Sequence, residues 1–98
     1  MEKNNSNPQG RREIKLADNI PGAEYANAMQ IQFNKEEMQL MFMNLFANSG
    51  RVSAKIVTSP GHLKRIITAL TGSMKQYEEK FGPVEQSAPL DSEIGFKG

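Results

Sequence analysis

Apolar residues recur at spacings of three and four along "TSPGHLKRIITALTGSMKQYEEKFG", residues Thr58 to Gly82. Leu63, Ile66, Ile67, Leu70, Met74, Tyr77 and Phe81 fall on one stripe of a single amphipathic helix. Its ends are marked. Ser59 suits an N-cap, Pro60 suits the first turn, where its missing N–H costs nothing, and Gly82 followed by Pro83 stops the pattern. Gly72 weakens the middle by about 0.5–1 kcal/mol relative to Ala, or admits a close neighbour.

Upstream the period changes to two. In "RVSAKIVTS", Val52, Ala54 and Ile56 face one side while Arg51, Ser53 and Lys55 face the other, the pattern of a half-buried strand. "EYANAMQIQF" alternates as well, with Tyr25, Met29, Ile31 and Phe33 opposite Ala26, Ala28, Gln30 and Gln32. "ADNIPGAE" before it is turn-rich, and "REIKL" suits an edge segment or an ordered lead-in.

The stretch between the two strands, "NKEEMQLMFMNLFANSG", carries two signals. Asn34 as an N-cap, the early glutamates and Gly50 favour a helix. Against that, Met38, Leu40, Phe42 and Phe46 share one period-2 face, and Met41, Met43 and Leu45 the other. Apolar residues on both faces suit a central strand between two hairpins, with "NKEE" and "ANSG" as loops. The strand is preferred. The expected fold is α+β: a three-stranded antiparallel meander followed by one long C-terminal amphipathic helix, β-β-β-α.

"YANAMQIQF", "EEMQLMF" and "VTSPGHLKRIITALTGSMKQYEEKFG" together resemble a family of short prokaryotic proteins, domain of unknown function 3467. In that family a Tyr-Ala-Asn strand precedes a Glu-Glu-led apolar segment, then a Ser-Pro-x-His-x-Lys-Arg helix start and a Tyr-Glu-x-x-Phe-Gly ending. This chain departs at Gly61, where an acidic or amide residue is more usual. The resemblance covers most of residues 13–83 and implies a strand for the middle segment. It implies no activity.

The meander has two faces to cover. The helix stripe is expected to lie on the face carrying Tyr25, Met29, Ile31, Phe33, Leu40, Phe42, Val52 and Ile56, forming a small core at about 1.5–3 kcal/mol per fully buried large side chain. On the other face Met41, Met43 and Leu45 lie beside Ala26 and Ala28, rimmed by Gln30, Gln32, Gln39, Ser53 and Lys55. A flat apolar patch with a polar border suggests a partner surface, and methionine is the adaptable residue such surfaces favour. These five, Ala26, Ala28, Met41, Met43 and Leu45, are the candidate interface. Either the N-terminal segment with Ile14, Leu16 and Ile20 folds back over it, or the chain self-associates there or through swapped helices, with a symmetric dimer as the default.

Composition narrows the rest. With 98 residues there is one small domain at most, expected at 13–83 between disordered tails at 1–12 and 84–98. A core of about 70 residues sits at the lower edge of independent stability and often gains by oligomerising. The net charge is +1, so no bulk attraction to nucleic acid operates. There is no cysteine, which removes disulfides and thiolate chemistry. "MEKNNSNPQGRRE" lacks the apolar core of a signal peptide, and no apolar run approaches the roughly 20 residues that span a bilayer. A soluble cytoplasmic protein with no membrane partner is expected.

Chemistry is sparse. His62 is the single histidine, Glu36/Glu37 and Glu78/Glu79 are adjacent pairs that point different ways, and no phosphate loop is present. No catalytic residue, metal site or cofactor is expected. His62, Lys64 and Arg65 sit in the first turns of the helix, the reverse of what its dipole favours; with Arg51 and Lys55 they form a candidate anion-binding set, against the plainer alternative of a solvated face. Three functions follow in rank order. The first is a non-enzymatic interaction module acting as a homodimer, with no other protein partner identifiable. The second is a nucleic-acid or phosphate binder, which no aromatic platform supports. The third is a carrier holding a small apolar ligand between helix and sheet.

Overall fold

The computed structural model describes residues 11–89. Three strands, β1 (Ala28–Phe33), β2 (Met38–Phe46) and β3 (Ser49–Thr58), are followed by α1 (Pro60–Phe81). The sheet is an antiparallel meander in the order β1-β2-β3. This is the expected α+β fold, with the middle segment a strand. The tails expected at 1–12 and 84–98 lie mostly outside the described residues, and Val84 is exposed.

The first hairpin shows why the local signal in "NKEE" pointed to a helix. Asn34 Oδ1 accepts from the amides of Glu36 and Glu37 at 2.8 and 2.9 Å, as a helix N-cap would. The Asn34 amide then bonds the Glu37 carbonyl at 3.0 Å, and the chain returns as β2. In the second hairpin Phe46 pairs with Ser49, so the loop is only Ala47 and Asn48, and Ser49 and Gly50 belong to β3. Ala47 takes φ 53°, a left-handed value at the first loop position.

The register defines the faces. Ile31, Leu40 and Ile56 lie side by side, flanked by the rows Met29–Phe42–Ala54 and Phe33–Met38–Thr58. Gln30–Met41–Lys55 and Gln32–Gln39–Val57 lie on the second face. Val52 departs from expectation. The register shifts between Phe42 and Met43, so Ala54 pairs with Phe42 but Val52 pairs with Met43. Ser53 is the extra residue of a β-bulge, and it moves Val52 onto the second face beside Met43 and Ala28.

The segment leading into β1 crosses the sheet at this bulge. The Asn27 amide bonds the Met43 carbonyl at 2.9 Å, Ser53 Oγ donates to the Tyr25 carbonyl at 2.8 Å, and Glu24 pairs with Arg51 at 3.0 Å. Edge strand β1 is thereby tied past β2 to the opposite edge. Tyr25 lies outside the strand expected to contain it and is exposed. Ile14, Leu16 and Ile20 are exposed too, so they are not what covers the second face.

The helix has the expected ends: Ser59 is the N-cap, Pro60 opens it, and Gly82, at φ 97°, closes it with its amide on the Glu78 carbonyl. Its packing is not as expected. No residue of α1 is buried, and it shares no extended contact with the sheet. The reason is the joint. Ser59 alone separates Thr58 from Pro60, and its extended conformation (φ −87°, ψ 156°) carries the chain onward. Strand-to-helix connections that fold a helix back onto its sheet use about 2–6 residues. The radius of gyration is accordingly 18.2 Å, against about 13 Å for a compact domain of this length. Among the described residues only Leu40 and Met43 form a buried apolar core, one on each face of the central strand.

Candidate interaction surfaces

Because the helix does not return, the face expected to be its seat is open. Met29, Ile31, Phe33 and Ile56 are 41–76% exposed, and the register sets them next to one another around buried Leu40. The helix stripe is open as well. Leu63 and Ile66, in its first two turns, are half-buried, whereas Ile67, Leu70, Met74, Tyr77 and Phe81 are 49–65% exposed. At 100° per residue all seven fall within about one third of the helix circumference. At its far end the rings of Tyr77 and Phe81 lie 4.9 Å apart, and the Lys80 ammonium sits 5.3 Å from the Phe81 ring centroid.

The methionine face is differently placed from its sequence expectation. Met43 is only 3% exposed. Ala26, Ala28, Met41 and Leu45 are half-buried. Leu45 lies opposite Gly50, where an added Cβ would come within 2.6 Å of Leu45 Cδ2. Beside Met41 the face opens into a shallow cleft of about 180 Å³ lined by Gln30, Gln32, Gln39, Met41 and Lys55. Ala28, Met41, Met43 and Leu45 therefore share one face, Ala26 lies ahead of β1, and the larger exposed apolar areas lie elsewhere.

The basic set does not gather into one cluster. Arg51 is engaged by Glu24, and Lys55 belongs to the glutamine cleft. Arg65 Nη2 lies 2.9 Å from His62 Nδ1, within hydrogen-bond distance of that ring nitrogen. The helix start has few free donors. Ser59 Oγ accepts from the His62 amide at 3.1 Å, the Ser59 carbonyl accepts from the Leu63 amide at 3.0 Å, and Pro60 has none. Of the amides from Pro60 to Leu63, that leaves Gly61's for an anion. Among the described residues no three His, Cys, Asp or Glu side chains group as metal ligands, and no helix is long and apolar enough to cross a membrane. With α1 off the sheet, the helix–sheet cleft expected for a ligand carrier is not formed.

Two features escaped the sequence. One is the structural task of Asn27, whose carboxamide bonds Leu45 from 18 residues away. The other is the freedom of the helix stripe, for which the signal was the single residue between the last strand position and Pro60.

Residues 1–86 match the family model described as "Protein of unknown function (DUF3467)". No curated protein and no solved structure matches the chain.

Proposed function

The chain belongs to the DUF3467 family of proteins of unknown function, and from its geometry we propose that it is a non-enzymatic interaction module working as a homodimer. One observation carries the proposal: α1 holds five large apolar side chains of a single stripe 49–65% exposed. A contiguous exposed apolar surface is a feature of assembly sites rather than of stable monomers. Two buried apolar residues among those described are also a small core. A second copy is the plainest partner, because it supplies the same unpartnered surfaces under two-fold symmetry.

The non-enzymatic part rests on the inventory of reactive groups. The one histidine has Nδ1 beside Arg65, and there is no cysteine. A cysteine-free chain also suits the reducing cytoplasm, where we place it.

Light scattering of the purified protein over a hundredfold concentration range is the test. The expected mass is twice the 10.9 kDa of one chain. A single-chain mass throughout, with the secondary structure intact, would overturn the proposal.

A further inference from the structure

We infer that two copies exchange helices, the exposed stripe of α1 from one chain lying on the open sheet face of the other. The inference rests on the homodimer proposed above and specifies its geometry. Each chain carries one apolar helix stripe and one apolar sheet face, and neither has a partner among the described residues of its own chain. The one-residue joint at Ser59 keeps the two apart within a chain. A second copy has no such restriction.

Leu63 and Ile66 are half-covered within their own chain, and the same stripe then runs outward through Ile67, Leu70, Met74, Tyr77 and Phe81. From Ile67 to Phe81 it spans about 21 Å at helical rise. The β2 row from Met38 to Phe46, which forms the middle of the open face, spans about 26 Å. The strand is long enough to take the stripe. Five stripe residues and the four sheet residues Met29, Ile31, Phe33 and Ile56 are about half exposed, leaving about 100 Å² free on each. Two reciprocal contacts would then bury about 1,800 Å², within the range of about 1,200–2,000 Å² found for stable interfaces.

The absence of cysteine makes cross-linking a clean test. Chains carrying Ile31→Cys are mixed in denaturant with chains carrying Ile67→Cys, Leu70→Cys or Met74→Cys, refolded together and oxidised. The exchange predicts a disulfide-linked dimer from at least one mixture, at several times the yield from either variant alone. Three results would overturn it. One is strong self-cross-linking of the helix variants, which would mean helix against helix. A second is an intrachain disulfide in a chain carrying both Ile31→Cys and Leu70→Cys. The third is no mixed disulfide from any pair while light scattering still gives a dimer. A monomer by light scattering is a separate result that removes the homodimer itself.

Discussion

The carboxamide of Asn27 holds both backbone groups of Leu45: its Nδ2 donates to the Leu45 carbonyl at 2.9 Å, and its Oδ1 accepts from the Leu45 amide at 2.8 Å. In an antiparallel ladder one residue exchanges two such bonds with the residue opposite. Here the backbone ladder runs out, since the Asn27 amide is already on Met43 and the chain turns away toward Tyr25. The side chain then supplies the same donor and acceptor that a peptide unit would, and β2 stays paired to its end.

Asn27→Ala should therefore cost about 1–2 kcal/mol, the net value of two hydrogen bonds. Asn27→Asp should do no better, because it keeps the acceptor but sets a carboxylate oxygen against the Leu45 carbonyl. Urea unfolding of the two variants checks this, and a substitution to Asp as stable as the parent would count against the bidentate role.

Met43 and Met41 separate the two layers of the methionine face. Met43 is 3% exposed, so Met43→Ala should cost about 2–5 kcal/mol, typical of emptying a buried site. Met41 is half-buried beside the glutamine cleft, and Met41→Ala should cost markedly less. Thermal unfolding of the pair measures the difference.

Two backbone positions invite opposite substitutions. Ala47 sits at φ 53° in a two-residue hairpin loop, so Ala47→Gly should stabilise by about 0.5–1 kcal/mol. Asn48 has no positive φ, and Asn48→Gly should give no such gain. Gly72 lies in a helix with nothing within 4 Å of an added Cβ, so Gly72→Ala should stabilise by about 0.5–1 kcal/mol. Denaturation midpoints decide each case.

Ser59 both caps α1 and forms the whole joint to β3. Ser59→Ala removes the bond to the His62 amide and should cost about 1 kcal/mol. Ser59→Asp keeps an acceptor and adds a charge favoured at a helix N-terminus, so it should retain or exceed the parent stability. Inserting Gly-Ser-Gly after Ser59 should relax the joint and let α1 reach its own sheet. A fall in the solution mass toward one chain is the expected result.

If self-association completes the core, stability depends on concentration. The unfolding temperature should rise with protein concentration by mass action, which a single-chain fold would not show. Scans over two decades of concentration measure it.

Much of this protein was legible because the two periodicities are local properties of the chain. Seven apolar positions at three-four spacing, with Ser59, Pro60 and Gly82 at the ends, define α1 without reference to anything distant. Period-2 alternation likewise defined three strands, and apolar residues on both faces of Met38–Phe46 placed that strand in the centre. Asn34 is the instructive case, since bonding two amides ahead of it is the same act in a helix cap and in this turn. The two-sided pattern that followed, with the family resemblance, distinguished them.

Alternation says which side chains share a face, but not which face is covered, nor whether the pattern holds across a bulge. The extra residue Ser53 moved Val52 to the second face, and nothing in the order of side chains along β3 announces that insertion, which exists only relative to β2. The fate of the helix was likewise outside the reach of its own pattern. An amphipathic stripe requires an apolar partner, yet whether that partner belongs to the same chain depends on the direction in which one extended residue launches the helix. Sequence by itself determined the elements, their order and, outside the bulge, their apolar sides, because those follow from spacing along the chain. Tertiary structure decided which sides remain open, because that depends on a register and a joint defined only between elements.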